Sequence, residues 1–241
     1  MHARFEELDF RTTVLGDLVL RRRRDPVLDS DVYEVKLGDE FLMSSRFTAA
    51  EVELARLGLA EAPSTELDVV VAGLGLGYTA RAALEDTRVR SLAVVEALPE
   101  VISWHRRELL PDTAGLTADP RLRLVHDDFF ALVARGTGFD ADEPARRFHA
   151  ILVDIDHSPR HVLNDSHAAF YEPEGLRRLA ALLCPGGVFG LWSDDPPDDD
   201  FISVLAQGFA SAHAHVVEFA NPYTGGTSSN TVYVAKVETV C

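Results

Sequence analysis

Asp154, Asp156 and His157 follow the apolar run Ala150-Ile-Leu-Val153. Carboxylates at the end of a buried strand can orient an amine and take up its proton, which is general-base chemistry. In open α/β sheets ligands sit beyond the carboxyl ends of the strands, so the position suits that work. Strand alternation would put Asp154 and Asp156 on one face. Asp154 is therefore the candidate that orients an acceptor and removes its proton, with Asp156 or His157 as second partner. The bland alternative for any of them is a cap on the following turn.

A second feature lies in DVVVAGLGLGYTARAAL, residues 68–84: an apolar run, three alternating glycines, then a helix-like segment. Such a loop lets a backbone approach a ligand closely. The dinucleotide fingerprint needs a small residue where this chain has Tyr78, to pack helix on strand. The spacing Gly73-x-Gly75-x-Gly77 suits S-adenosylmethionine (SAM) enzymes better, and Tyr78 would touch the donor's tail or cover the loop. Glu96 closes the next strand, where an acid can accept both ribose hydroxyls. After the third strand, Asp128 is placed to accept from an adenine amino group, and Phe129 offers an apolar face. Leu183-Cys-Pro-Gly-Gly187 leads into the strand VFGLW.

With these motifs the chain resembles class I SAM-dependent transferases, and among them the spermidine synthase (polyamine aminopropyltransferase) superfamily, over roughly residues 30 to 238. The resemblance implies a small N-terminal β element, a homodimer, and an Asp-x-x-Asp-Pro motif after the fourth strand. ILVDIDHSP places Asp154 at the catalytic aspartate of that motif and His157 at the second aspartate, unless Asp156 shifts to replace it. The last loop, NPYTGGT, is similar to the family's Tyr-Pro-Gly-Gly turn and makes Tyr223 an acceptor-pocket candidate. Two departures stand out. Leu76 occupies the place where aminopropyl-transferring members hold the donor's amine with an aspartate. The family's Tyr-His-Glu motif finds no counterpart in AAEVELA. A leucine cannot hold an ammonium, so the resemblance leans towards methyl transfer from SAM, with aminopropyl transfer from decarboxylated SAM as the alternative. A catalytically silent nucleoside-binding relative remains a third reading. An NAD-dependent oxidoreductase is disfavoured by Tyr78 and the L-x-P-G-G element.

The elements that must position these residues follow from pattern. Strands and helices alternate from Leu67 onward, which implies a mostly parallel, Rossmann-like α/β sheet of the class I SAM-methyltransferase type. HVVEF and TVYVAKV around a Gly-rich loop read as a closing antiparallel hairpin. Residues 1–47 read as the small β element and 48–241 as the SAM-binding domain. Thr48-Ala-Ala-Glu51 is a capping-box pattern that starts a helix ending near Ala60. The run Arg21–Arg24 reads as a solvated edge or subunit contact. Trp104 and His105, on the helix after Glu96, read as core packing. Asp194, Asp195 and Asp198–Asp200 read as a solvated loop, of which Asp194 and Asp195 could line a pocket for a cationic acceptor.

The formal net charge of −16 argues against nucleic acid as partner and for a small cationic molecule. Cys184 and Cys241 suggest no disulfide framework, and the histidines show no metal-like clustering, so no metal is expected. Without an apolar signal core or a membrane-length segment, a cytoplasmic protein is expected.

Overall fold

The structure, a computed structural model, describes residues 5–13, 16–63 and 65–239; Cys241 and the first four residues lie outside this range. A four-stranded antiparallel sheet comes first: β1 (Phe5–Thr13), β2 (Gly16–Asp25), β3 (Ser30–Leu37) and β4 (Glu40–Ser44). The sequence reading misses β1, and with it the setting of the arginine run. Strand β2 lies between β1 and β3, so Arg21–Arg24 do not form an edge. Their side chains alternate as a strand requires. Arg21 and Arg23 both bond Glu34 at 2.8 Å, while Arg22 bonds Glu6 and Arg24 bonds Asp29, each at 2.7 Å. Paired acids within and beside the sheet neutralise the run.

Helix α1 (Ala49–Ala60) leads to the second sheet, which holds β5 (Leu67–Ala72), β6 (Val89–Glu96), β7 (Leu122–His126), β8 (Phe148–Val153) and β9 (Leu183–Ser193). A hairpin of β10 (Ser211–Asn221) and β11 (Gly226–Lys236) completes it. The strand order is β10-β11-β9-β8-β5-β6-β7, with β5 to β9 parallel to one another, β11 antiparallel to β9, and β10 antiparallel to β11. This is the expected α/β sheet with its closing hairpin.

The strands of the sheet's middle are apolar on both faces because helices cover both. Val69, Val71, Leu92, Val94 and Leu152 point to the side of α1, α2 (Tyr78–Glu85) and α3 (Pro99–Arg106). Val70, Ala72, Val95, Ile151 and Val153 point to α4 (Phe129–Arg135), α5 (Pro173–Ala180) and α6 (Asp199–Leu205). Helix α6 falls in the acidic stretch read as a loop: Asp198 caps it, accepting from the Asp200 and Phe201 N–H groups.

The two sheets are tied together at several points. Trp104, fully buried as its core assignment predicts, also donates its indole N–H to Asp9 of β1 at 2.8 Å. Tyr223, in the turn between β10 and β11, donates its hydroxyl to the buried Asp25 at 2.6 Å. The Arg46 guanidinium lies over the same tyrosine ring, 4.3 Å from its centroid.

Candidate active site

The glycine loop joins β5 to α2, and its shape is fixed by what surrounds it. Gly73 has φ +92, and a Cβ there would come within 2.1 Å of the Asp154 carbonyl oxygen. The loop and the residue after β8 thus approach too closely for a side chain at position 73. Below the loop, Glu96 accepts from the Leu74 N–H at 3.0 Å and from the Leu98 N–H at 2.8 Å. It is buried, which raises its pKa, while these backbone donors lower it. Tyr78 donates its hydroxyl to Asp112 at 2.6 Å, and burial raises its pKa.

Above the loop lies a cavity of about 490 Å³. Phe41, Met43 and Phe47 wall it from the N-terminal sheet and its exit, and Phe219 and Asn230 from the last hairpin. Its floor carries Gly75, Leu76, Gly77 and Tyr78; its polar side carries Asp154, His157, Asp194 and Glu51. Glu51, in the first turn of α1, is the residue that sequence reasoning misses. The capping-box pattern assigns it to the helix terminus, yet Thr48 makes no side-chain cap bond. Glu51 lines the cavity instead, close enough to Asp154 and Asp194 for their charges to act on it. The segment AAEVELA, which holds no Tyr-His-Glu counterpart, thus still brings one acid to the cavity.

Burial pushes the Asp154 carboxyl above the usual aspartate range, and the Thr79 hydroxyl, donating to Oδ2 at 2.6 Å, partly offsets this. Burial pushes Glu51 up as well, with the neighbouring Asp154 charge acting in the same direction. Two neighbouring carboxyl groups with raised pKa values resist ionising together, so one is poised to receive a proton.

Several candidates stand elsewhere. Asp156 is not beside Asp154: β8 ends at Val153, so strand alternation stops before either residue. Asp156 turns inward, 1 % exposed, and accepts from the Leu163 N–H, His167 and the Tyr171 hydroxyl. It braces the following loop and does not line the cavity. Phe129 presents no open face, because it is 2 % exposed and stacked on Phe139 at 5.3 Å. Asp128 caps α4, accepting from the Ala131 N–H. Asp195 pairs with His161 at 2.9 Å, outside the cavity, whereas Asp194 lines it and accepts from Asn230 at 2.6 Å. Tyr223 is held by Asp25 and Arg46 and does not line the cavity. Among the described residues no cluster of histidine, cysteine and carboxylate side chains could hold a metal, and no helix is long and apolar enough to cross a membrane.

The fold is the Rossmann-like methyltransferase fold, preceded by a small antiparallel sheet. In sequence, about half of the chain is similar to polyamine aminopropyltransferases. It is 34% identical over 130 residues to the polyamine aminopropyltransferase of Corynebacterium efficiens, covering 54% of this chain and 22% of that one. A second, from Pyrobaculum islandicum, is 26% identical over 121 residues, covering 50% of this chain and 39% of the relative. The chain thus spans well under half the length of these relatives. No family model matches it. Spermidine synthase from Thermotoga maritima superposes with a TM-score of 0.72 at 18% identity, over 97% of this chain and 74% of that one. Human methyltransferase-like protein 13, solved with SAH, gives 0.56 at 18% identity, over 78% of each chain.

Proposed function

We propose that this chain transfers an aminopropyl group from decarboxylated SAM to a small amine acceptor. The charge of the cavity carries the reading. Glu51, Asp154 and Asp194 line it, and among the described residues no lysine or arginine does. The amino-acid tail of SAM brings a carboxylate, which would meet three carboxyl groups and no fixed cation. The decarboxylated tail brings an ammonium alone, which the same groups favour. Leu76 tips the sequence towards methyl transfer; Glu51 and Asp194 supply, from neighbouring elements, the acid that the loop lacks. The likeness to polyamine aminopropyltransferases over half the chain supports the same choice.

In the step itself the acceptor nitrogen attacks the aminopropyl carbon bonded to sulfur. A C–N bond forms and the C–S bond breaks, its electron pair passing to sulfur, so that methylthioadenosine leaves. The proton shed by the nitrogen goes to Asp154, whose Oδ1 is left to the acceptor because Thr79 engages Oδ2. The protein contributes alignment and proton uptake.

Parallel calorimetric titration with decarboxylated SAM, SAM, methylthioadenosine and NAD tests the reading. The expected result is tighter binding of decarboxylated SAM than of SAM, with methylthioadenosine released once an amine is added. Preference for SAM would move the reading to methyl transfer, and binding of NAD alone would overturn it.

A further inference from the structure

We propose that His105 is a positioning residue of the nucleoside site: it fixes the Gly75–Leu76 peptide so that the Leu76 N–H donates to an oxygen of the bound nucleoside. The inference rests on reading the glycine loop as the seat of the donor's nucleoside.

His105 lies on α3, 4 % exposed, with Nε2 at 2.9 Å from the Gly75 carbonyl oxygen. A carbonyl only accepts, so Nε2 carries the proton. In the neutral ring Nδ1 is then a bare acceptor, and it is buried with no partner among the described residues. Burial lowers the pKa of this histidine and favours that neutral form. An orphaned ring nitrogen costs stability, so the side chain is poorly explained by packing alone. Leucine would fill the space without the cost.

The consequence for the loop follows from peptide geometry. There are no cis peptides among the described residues, and a trans peptide points its N–H opposite its C=O. With the Gly75 carbonyl turned to His105, the Leu76 N–H faces the other way, towards the cavity that both residues line. Its neighbours are engaged: the Leu74 N–H bonds Glu96 and the Gly77 N–H bonds the Leu74 carbonyl at 2.8 Å. Among the described residues the Leu76 N–H donates to none. Thr113 holds the next carbonyl, that of Leu76, at 3.0 Å, so the peptides on both sides of Leu76 are pinned from behind. A leucine whose side chain can bond nothing thus presents its backbone to the ligand.

Titration of methylthioadenosine into wild type, His105→Gln and His105→Leu tests this. Glutamine can return an N–H to the position of Nε2, whereas leucine fills the space without one. His105→Leu should weaken binding by about five- to tenfold, the worth of one hydrogen bond. His105→Gln should stay within about twofold of wild type on the same scale. Equal affinity in all three proteins, or equal weakening in both variants, would overturn the proposal and leave a packing role. Should the leucine variant not fold, the wild-type Leu76 amide is followed by NMR as methylthioadenosine is added. A downfield shift with slower exchange is expected, and an unmoved amide overturns the proposal. If wild type binds no methylthioadenosine, the nucleoside reading falls together with this inference; if only the variants behave alike, this inference falls alone.

Discussion

Asp154 takes the Thr79 hydroxyl on one oxygen, and in the proposed reaction this bond would tune when it acts as a base. A hydroxyl donated to a carboxylate favours the ionised form. Removing it in Thr79→Val should raise the Asp154 pKa further, moving the acid limb of the pH–rate profile up by about half to one unit. An unmoved limb would show that Asp154 is not the group titrating. Asp154→Asn should lower kcat/KM by about a hundredfold or more, with methylthioadenosine affinity unchanged; retained turnover would remove Asp154 from the mechanism. Glu51 has a consequence for stability. Its folded pKa lies above the unfolded value, so the folded state binds the extra proton, and stability declines as pH rises through the raised value. Glu51→Gln should therefore raise Tm more at about pH 9 than at about pH 5. A gain independent of pH would contradict this. At this scale the sequence revealed Asp154 and the glycines, whose spacing is local. It concealed Glu51, because a helix N-terminus and a cavity wall ask for the same residue. Asp156 and Phe129 turn into the interior and Asp128 caps α4, because side-chain direction just past a strand end depends on the turn, not on the count of residues.

Helix α1 carries Glu51, and its seat on the sheet is a close one. A Cβ at Gly58 would stand 2.6 Å from the Leu152 Cδ2, so the helix touches β8 where a methyl has no room. Gly58→Ala should lift that end of the helix and cost about 1–3 kcal/mol of stability. The parallel strands were legible as near-continuous apolar runs, since sheets covered on both faces are written that way. β1 was not, because FEELDFRTT is largely exposed and mixed in character. α6 was hidden by its acidic first turn, whose Asp198 is a helix cap.

Across the whole molecule, the excess of 39 acidic over 23 basic residues surrounds a cavity that is itself acidic. A cationic acceptor should be drawn in by this field, and salt screens such attraction. The KM for a cationic amine should rise with added NaCl while kcat holds; a KM indifferent to salt would deny the field any part in capture. The domain-scale architecture was readable from element alternation, whereas the joints between the sheets were not, being made by residues far apart along the chain.

One of those joints bears on how the protein is made. Asp25 and Tyr223 are 198 residues apart, so the ribosome delivers the acid long before its phenol. At ordinary elongation rates the wait is about ten to forty seconds. Through that interval the first sheet can pair its arginines and acids, yet the hairpin that walls the cavity through Phe219 and Asn230 does not exist. The cavity is therefore finished only late in biosynthesis, and a nascent chain halted before the hairpin would carry the glycine loop without the wall that encloses it.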